Sequence, residues 1–181
     1  MNQIAEAMNP FFSKQKQYDS YEAKSETGQF WCISADKVFS SDVDGLNDFS
    51  KFYDMDFLVK KVSLFDGEKS SDSIVCAEPV TIYMPAGRSC AMIQGYLANR
   101  KEISKIIIKK IIPLAGSWEA VEEKEFSKCI VQSFGRRGEI ALFSFRYSAY
   151  SDSYVDLKKD GSKMGTAATK VDLATWEVES K

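Results

Sequence analysis

Apolar residues along this chain recur mostly at every second position, in short runs cut by Gly, Pro, Asp and Asn, which is the period of strands with a buried face. Phe30-Trp31-Cys32-Ile33 is the first such run and predicts a strand with one or both faces covered. Phe57 to Phe65 alternates in part and ends at an Asp66-Gly67 turn, and Ile74 to Met84 resumes strand character up to Pro85. Further strands are predicted over Ile103 to Ile112, over Trp118 to Phe126 and on to Phe134, and over Glu139 to Tyr150, with corners at Pro113 to Gly116 and Gly135 to Gly138. In the last of these, Ala141, Phe143, Phe145, Tyr147 and Ala149 share one face, while Ser144, Arg146 and Ser148 share the other. A polar loop around Asp156 to Gly165 then leads to a closing strand, Thr169 to Val178.

One segment breaks the period of two. After Pro85-Ala86-Gly87, Ser89 is placed to cap a short helix whose Met92, Ile93, Tyr96 and Leu97 fall on one face, and Asn99 can close it in a left-handed conformation. Roughly seven or eight strands at short spacing around one helix predict a mainly β fold: an antiparallel barrel, closed or nearly so, with one short lateral α-helix. The barrel domain is expected over 29–181. Residues 1–28, polar and interrupted by Pro10, are expected to form a partly ordered extension. Between Asp36 and Asp56 the chain is rich in Ser, Asp and Gly, yet Phe39, Leu46, Phe49 and Phe52 are dispersed through it, so a long, partly packed loop is expected there.

Composition narrows the function classes. The chain has 181 residues, long enough for a self-sufficient core, and its formal charge of -2 provides no field to draw it onto nucleic acid or anionic lipid. No basic n-region with an apolar h-region opens the sequence, and even Ile103 to Leu114 is interrupted by lysines. Synthesis for the cytoplasm without a signal peptide, and no membrane insertion, are therefore expected. The four cysteines, Cys32, Cys76, Cys90 and Cys129, form no C-x-x-C pair and read as buried reduced thiols.

The absence of any histidine removes the usual general base and the commonest zinc ligand. Gly87-Arg88-Ser89-Cys90-Ala91 echoes a nucleophile elbow, but Ser89 has no base and reads as a helix cap, and Cys90 has no resolving partner. Ser34 and Lys37 match S-x-x-K by chance, because the motif needs a helix and here follows strand residues. Asp42, Asp44 and Asp48 resemble part of a calcium loop with its glycine two positions early, and read as a capped turn. Glu122, Glu123, Lys124 and Glu125 read as a solvated strand face, and Arg136 and Arg137 as a hairpin tip. No catalytic residue, metal ligand or cofactor site is expected, and no G-x-G-x-x-G or P-loop supports nucleotide binding.

The order of elements is more informative than any motif. Glu78-Pro79-Val80-Thr81-Ile82, the helical run Ser89 to Asn99, the link Arg100-Lys101-Glu102-Ile103 and the strand Lys105-Ile106-Ile107-Ile108 together resemble the centre of the haemolysin-coregulated proteins, tube subunits of bacterial type VI secretion systems. Glu125 to Phe134, Leu142 to Tyr150, Asp160-Gly161 and Asp172-Leu173-Ala174-Thr175 are similar to the later strands, polar loop and ending of that family. The likeness covers roughly Ile74 to Val178, and the polar stretch before Phe30 departs from the family pattern.

This resemblance implies a β-barrel with a lateral helix that assembles head to tail into hexameric rings, stacked as a hollow tube. Its implied partners are further copies of the chain, a contractile sheath, a spike protein and secreted effectors, and it implies export toward a target cell. A head-to-tail interface needs two different complementary patches. The candidate inter-subunit contacts are Phe39, Leu46, Phe49 and Phe52, which a bare loop would expose, with Arg136 and Arg137 at the hairpin tip. Ser144, Arg146 and Ser148 are candidate lumen-facing residues. A monomeric β-barrel binding module or a secreted non-enzymatic effector is the alternative reading.

Overall fold

The computed structural model describes residues 28–39, 43, 46–66, 69–114, 117–158, 162–175 and 177–180, and among these described residues it has twelve strands and one helix. Residues 1–27 of the extension expected over 1–28 lie outside the described residues, as do Asp42, Asp44 and Gly45 of the calcium-like turn. In chain order the elements are β1 (Phe30–Ala35), β2 (Ser50–Phe52), β3 (Asp54–Asp56), β4 (Val59–Asp66), β5 (Lys69–Ala77), β6 (Val80–Pro85) and α1 (Arg88–Ala98). They continue with β7 (Glu102–Leu114), β8 (Ser117–Arg137), β9 (Ile140–Arg146), β10 (Ala149–Leu157), β11 (Lys163–Asp172) and β12 (Val178–Ser180).

The 21-residue β8 organises the sheet. One edge pairs with β7, and the other is shared end to end: β10 takes it over Glu122 to Ser127, and β9 takes it over Ile130 to Arg137. Between the two halves Lys128 adopts a positive φ of 52°, and the buried positions step from Phe126 to Cys129 instead of alternating. Such an irregularity bends a strand and increases its twist, which is how one strand serves two neighbours. All ladders are antiparallel. The circuit runs β1, β7, β8, β9, β6, β3, and no single ladder closes it. The kinked segment 50–56 spans the remaining gap, with β2 on β1, β3 on β6, and the Tyr53 N–H donating to the Tyr83 carbonyl at 2.8 Å. The expected nearly closed antiparallel barrel with one lateral helix is thus what the chain forms.

The barrel core follows the period of two. Ile33, Val80, Ile82, Ile103, Ile106, Ile108, Phe126, Phe143 and Phe145 are all buried, and α1 adds Ile93 and Tyr96. Burying each such side chain contributes about 1.5–3 kcal/mol. Phe126 meets Phe145 and Tyr147 edge on, at 5.4 and 4.9 Å between ring centres. A second, smaller cluster lies on the opposite face of β1 and β7, where Cys32, Val43 and Ile111 are covered by Phe30, Leu46, Phe49 and Ala120.

Several boundaries differ from the sequence expectation. The loop over Asp36 to Asp56 contains β2 and β3, which are too short to carry a period. Ile74 to Met84 is two strands broken at Glu78-Pro79, because proline has no N–H for a ladder. Of the polar loop over Asp156 to Gly165, residues 156–157 and 163–165 belong to the β10–β11 hairpin, and the closing strand is divided by a turn at Leu173 to Thr175. The β8–β9 turn is the two-residue Gly138-Glu139, one step beyond the expected corner, with Gly138 at φ 56°.

The helix ends also differ. Ser89 lies inside the first turn and is buried, and the Gly87 N–H instead donates to Cys90 Sγ at 3.4 Å. Met92 is exposed, and the buried face is Ser89, Cys90, Ile93 and Tyr96. Asn99 stays right-handed, and it is Arg100 that turns left-handed, with φ 50°. The N–H groups of Arg100 and Lys101 then donate to the carbonyls of Leu97 and Tyr96, which is a Schellman ending with arginine where glycine is usual.

Candidate assembly surface

The outer face of the barrel carries a polar row that crosses four strands. Asp56 on β3 is in register with Thr81 on β6, Thr81 with Ser144 on β9, and Ser144 with Ser133 on β8. The Ser133 and Ser144 hydroxyls are 2.7 Å apart, and the Tyr83 hydroxyl donates to Asp56 Oδ2 at 2.8 Å. Burial first, then this carboxylate, holds the Tyr83 phenol well above its usual pKa. Ser144 is half-buried and Arg146 exposed on the same face of β9, whereas Ser148, also exposed, lies in the bend at 147–148 that divides the expected strand Glu139 to Tyr150 into β9 and β10. Asp56, Thr81 and Ser133 have no signal of their own in the sequence, because only register brings them beside Ser144.

The aromatic loop is used differently from the sequence expectation. Phe39 and Phe52 are 4% and 6% exposed, packed into the barrel core, with Phe39 6.3 Å from Phe143 and Phe52 6.2 Å from Trp31 between ring centres. The reason for making them inter-subunit contacts, exposure in a lone subunit, does not hold. Leu46 and Phe49 are half-buried over Cys32 and Ile111, with the Lys109 ammonium 5.3 Å from the Phe49 ring. Arg136 stands exposed at the β8–β9 hairpin and donates from Nε to the Gly138 carbonyl at 3.0 Å, and Arg137 beside it is half-buried.

The run Glu122 to Glu125 is not wholly a solvated face. Lys124 points to the inner side with Phe126 and is 4% exposed. Its Nζ reaches Asp152 Oδ2 at 2.6 Å, Glu122 Oε1 at 2.9 Å and the Tyr154 hydroxyl at 2.9 Å. Burial opposes its charge, but these partners outweigh that and raise its pKa above the usual lysine value. Glu123 and Glu125 face the other way, toward Lys109 at 3.0 Å and Lys105 at 2.8 Å.

No protein-family profile matches the chain, and no curated protein is similar to it in sequence. Solved structures are similar to it in shape. A protein described as a type six secretion system protein superposes with a TM-score of 0.70 at 12% identity, over 83% of this chain and 99% of that one. The Hcp1 protein from Salmonella typhimurium superposes at 0.67 with 15% identity, over 83% and 99%. Hcp2 from the same organism does so at 0.61 with 11% identity, over 82% and 98%.

The fold is that of the Hcp proteins.

Within this Hcp fold the other sequence candidates are scattered. Cys90 is buried at the start of α1 and Ser34 sits on β1, with Lys37 exposed in the turn beyond it. Val43 and Leu46 bridge to each other at the calcium-like turn. Among the described residues no three His, Cys, Asp or Glu side chains converge as a metal-ligand set, and no helix is long and apolar enough to cross a membrane. A cavity of about 250 Å³ at the root of the β4–β5 hairpin is lined by Cys76, Ala77, Glu78, Arg146, Tyr147 and Leu173. It is smaller than the ~300–1,000 Å³ of usual small-molecule sites.

Proposed function

We propose that the chain is a structural, self-assembling tube subunit of the type VI secretion kind and performs no catalysis. The observation that carries this reading is the agreement with Hcp chains over nearly their whole length at very low sequence identity. Copies associate head to tail into hexameric rings and stack into a tube that meets a contractile sheath, a spike and effectors. The chain is made in the cytoplasm and expelled with the tube.

The polar row Asp56, Thr81, Ser144, Ser133, with Arg146 and Ser148 beside it, supports a wetted wall and makes this face the candidate lumen lining. With Phe39 and Phe52 taken up by the subunit's own core, Arg136, Arg137, Leu46 and Phe49 remain as candidate contact residues at the subunit boundary.

Light scattering on a size-exclusion column, followed by negative-stain imaging, tests the reading. Ring-sized particles with a central hole are expected. A monomer at every concentration, without rings on the grid, would favour a monomeric binding module instead.

A further inference from the structure

We infer that β10, β11 and β12 form a wing that lifts from β8 as one unit while the barrel stays folded, with Lys124 as its clasp.

The wing is poor in core. Across its strands Val171 is the only buried residue among those described; β12 is exposed throughout, and β11 is exposed from Lys163 to Ala167. By contrast β7 buries Ile103, Ile106, Ile108 and Ile111, and β9 buries Ala141, Phe143 and Phe145. Elements with few buried apolar contacts open at lower free energy than the core around them.

Attachment to the barrel sheet runs through one strand, with Tyr150 and Leu173 packed against the core. β10 meets the barrel through the ladder from Ala149 opposite Ser127 to Tyr154 opposite Glu122, while β11 pairs with β10 and β12. Tyr150 lays its ring against Phe57 and Tyr147, and the Lys163–Glu119 ion pair is too exposed to hold much. The one buried charged link is Lys124 to Asp152. That link is incomplete, because Asp152 Oδ1 is buried with no hydrogen-bond partner among the described residues. A buried polar network with an unmet acceptor holds less firmly than a complete one. Lifting the wing returns that acceptor to water and bares the β8 edge from Glu122 to Ser127.

Native-state hydrogen exchange on the full chain reads this directly. Amides of β10 and β11, and those of β8 that donate to β10, are expected to exchange through one common opening, about tenfold or more faster than those of β7 and β9. In Lys124→Met, which leaves two carboxylates without their cation, wing exchange is expected to quicken by a larger factor than exchange in β7 and β9. Wing amides as protected as those of β9 in the unaltered chain would overturn the inference. So would a Lys124→Met protein in which every strand quickens equally. Should that variant fail to fold, the unaltered chain decides alone.

Discussion

Lys124 Nζ lies 2.6 Å from Asp152 Oδ2 across the β8–β10 ladder, an ion pair enclosed beside the aromatic core, with the Phe57 ring 5.7 Å from the ammonium. The pair ties β10 to β8, so its loss is felt first along that ladder. Removing one member of a buried pair leaves the other charge desolvated. Lys124→Ala is expected to cost about 3–5 kcal/mol, read as a lower midpoint in urea. A cost below about 1 kcal/mol would show that the pair is screened as a surface bridge is.

Stability is expected to fall on the alkaline side. Burial pushes the Cys129 thiol up to about 12 from 9.0, and raises the phenols of Tyr83 and Tyr147. Lys124 is raised by its partners. Each of these groups holds more protons folded than unfolded above pH 9, so unfolding free energy declines as pH rises. The Cys129 part sets in above pH 9 and is complete by about 12. In Cys129→Ala the slope between these limits is expected to be shallower. An unchanged slope in pH-dependent denaturant titrations would remove Cys129 from the account.

Arg100 occupies the left-handed position that ends α1, at φ 50°. A side chain there is strained by about 1 kcal/mol relative to glycine. Arg100→Gly is expected to raise the melting temperature by a few degrees, on the order of 2–4 °C for a chain of this size. A lower melting temperature would mean that the arginine side chain contributes more than its backbone strain costs.

Phe39 and Arg136 are expected to separate folding from assembly. Phe39→Ala empties a buried ring position and is expected to destabilise the subunit by about 3–5 kcal/mol. Arg136→Glu, at an exposed hairpin, is expected to leave stability within about 0.5 kcal/mol and to weaken association of copies. Ring formation by the Arg136→Glu protein at the concentration that serves the unaltered chain would take the hairpin out of the interface.

Strand character, the barrel class and the place of the helix were legible because each depends on residues close in sequence. Ala141, Phe143 and Phe145 are buried and Arg146 exposed, as the period of β9 requires. Elements of three residues, such as β2 and β3, hold too few positions to show a period, and they were hidden in a loop. The left-handed residue at the helix end is Arg100, one position beyond Asn99, because arginine carries none of the sequence signal that asparagine or glycine would.

By itself, the sequence determined the alternation that makes this a β protein, the break for α1, and the lack of histidine, the usual general base. Tertiary structure alone decided that Phe39 and Phe52 face inward, that Lys124 is buried, and that Asp56, Thr81, Ser144 and Ser133 form one row. The physical reason is register. An antiparallel ladder sets which distant residues become neighbours and which side each presents, and that choice depends on burial summed over the whole sheet, a quantity no local run of residues contains.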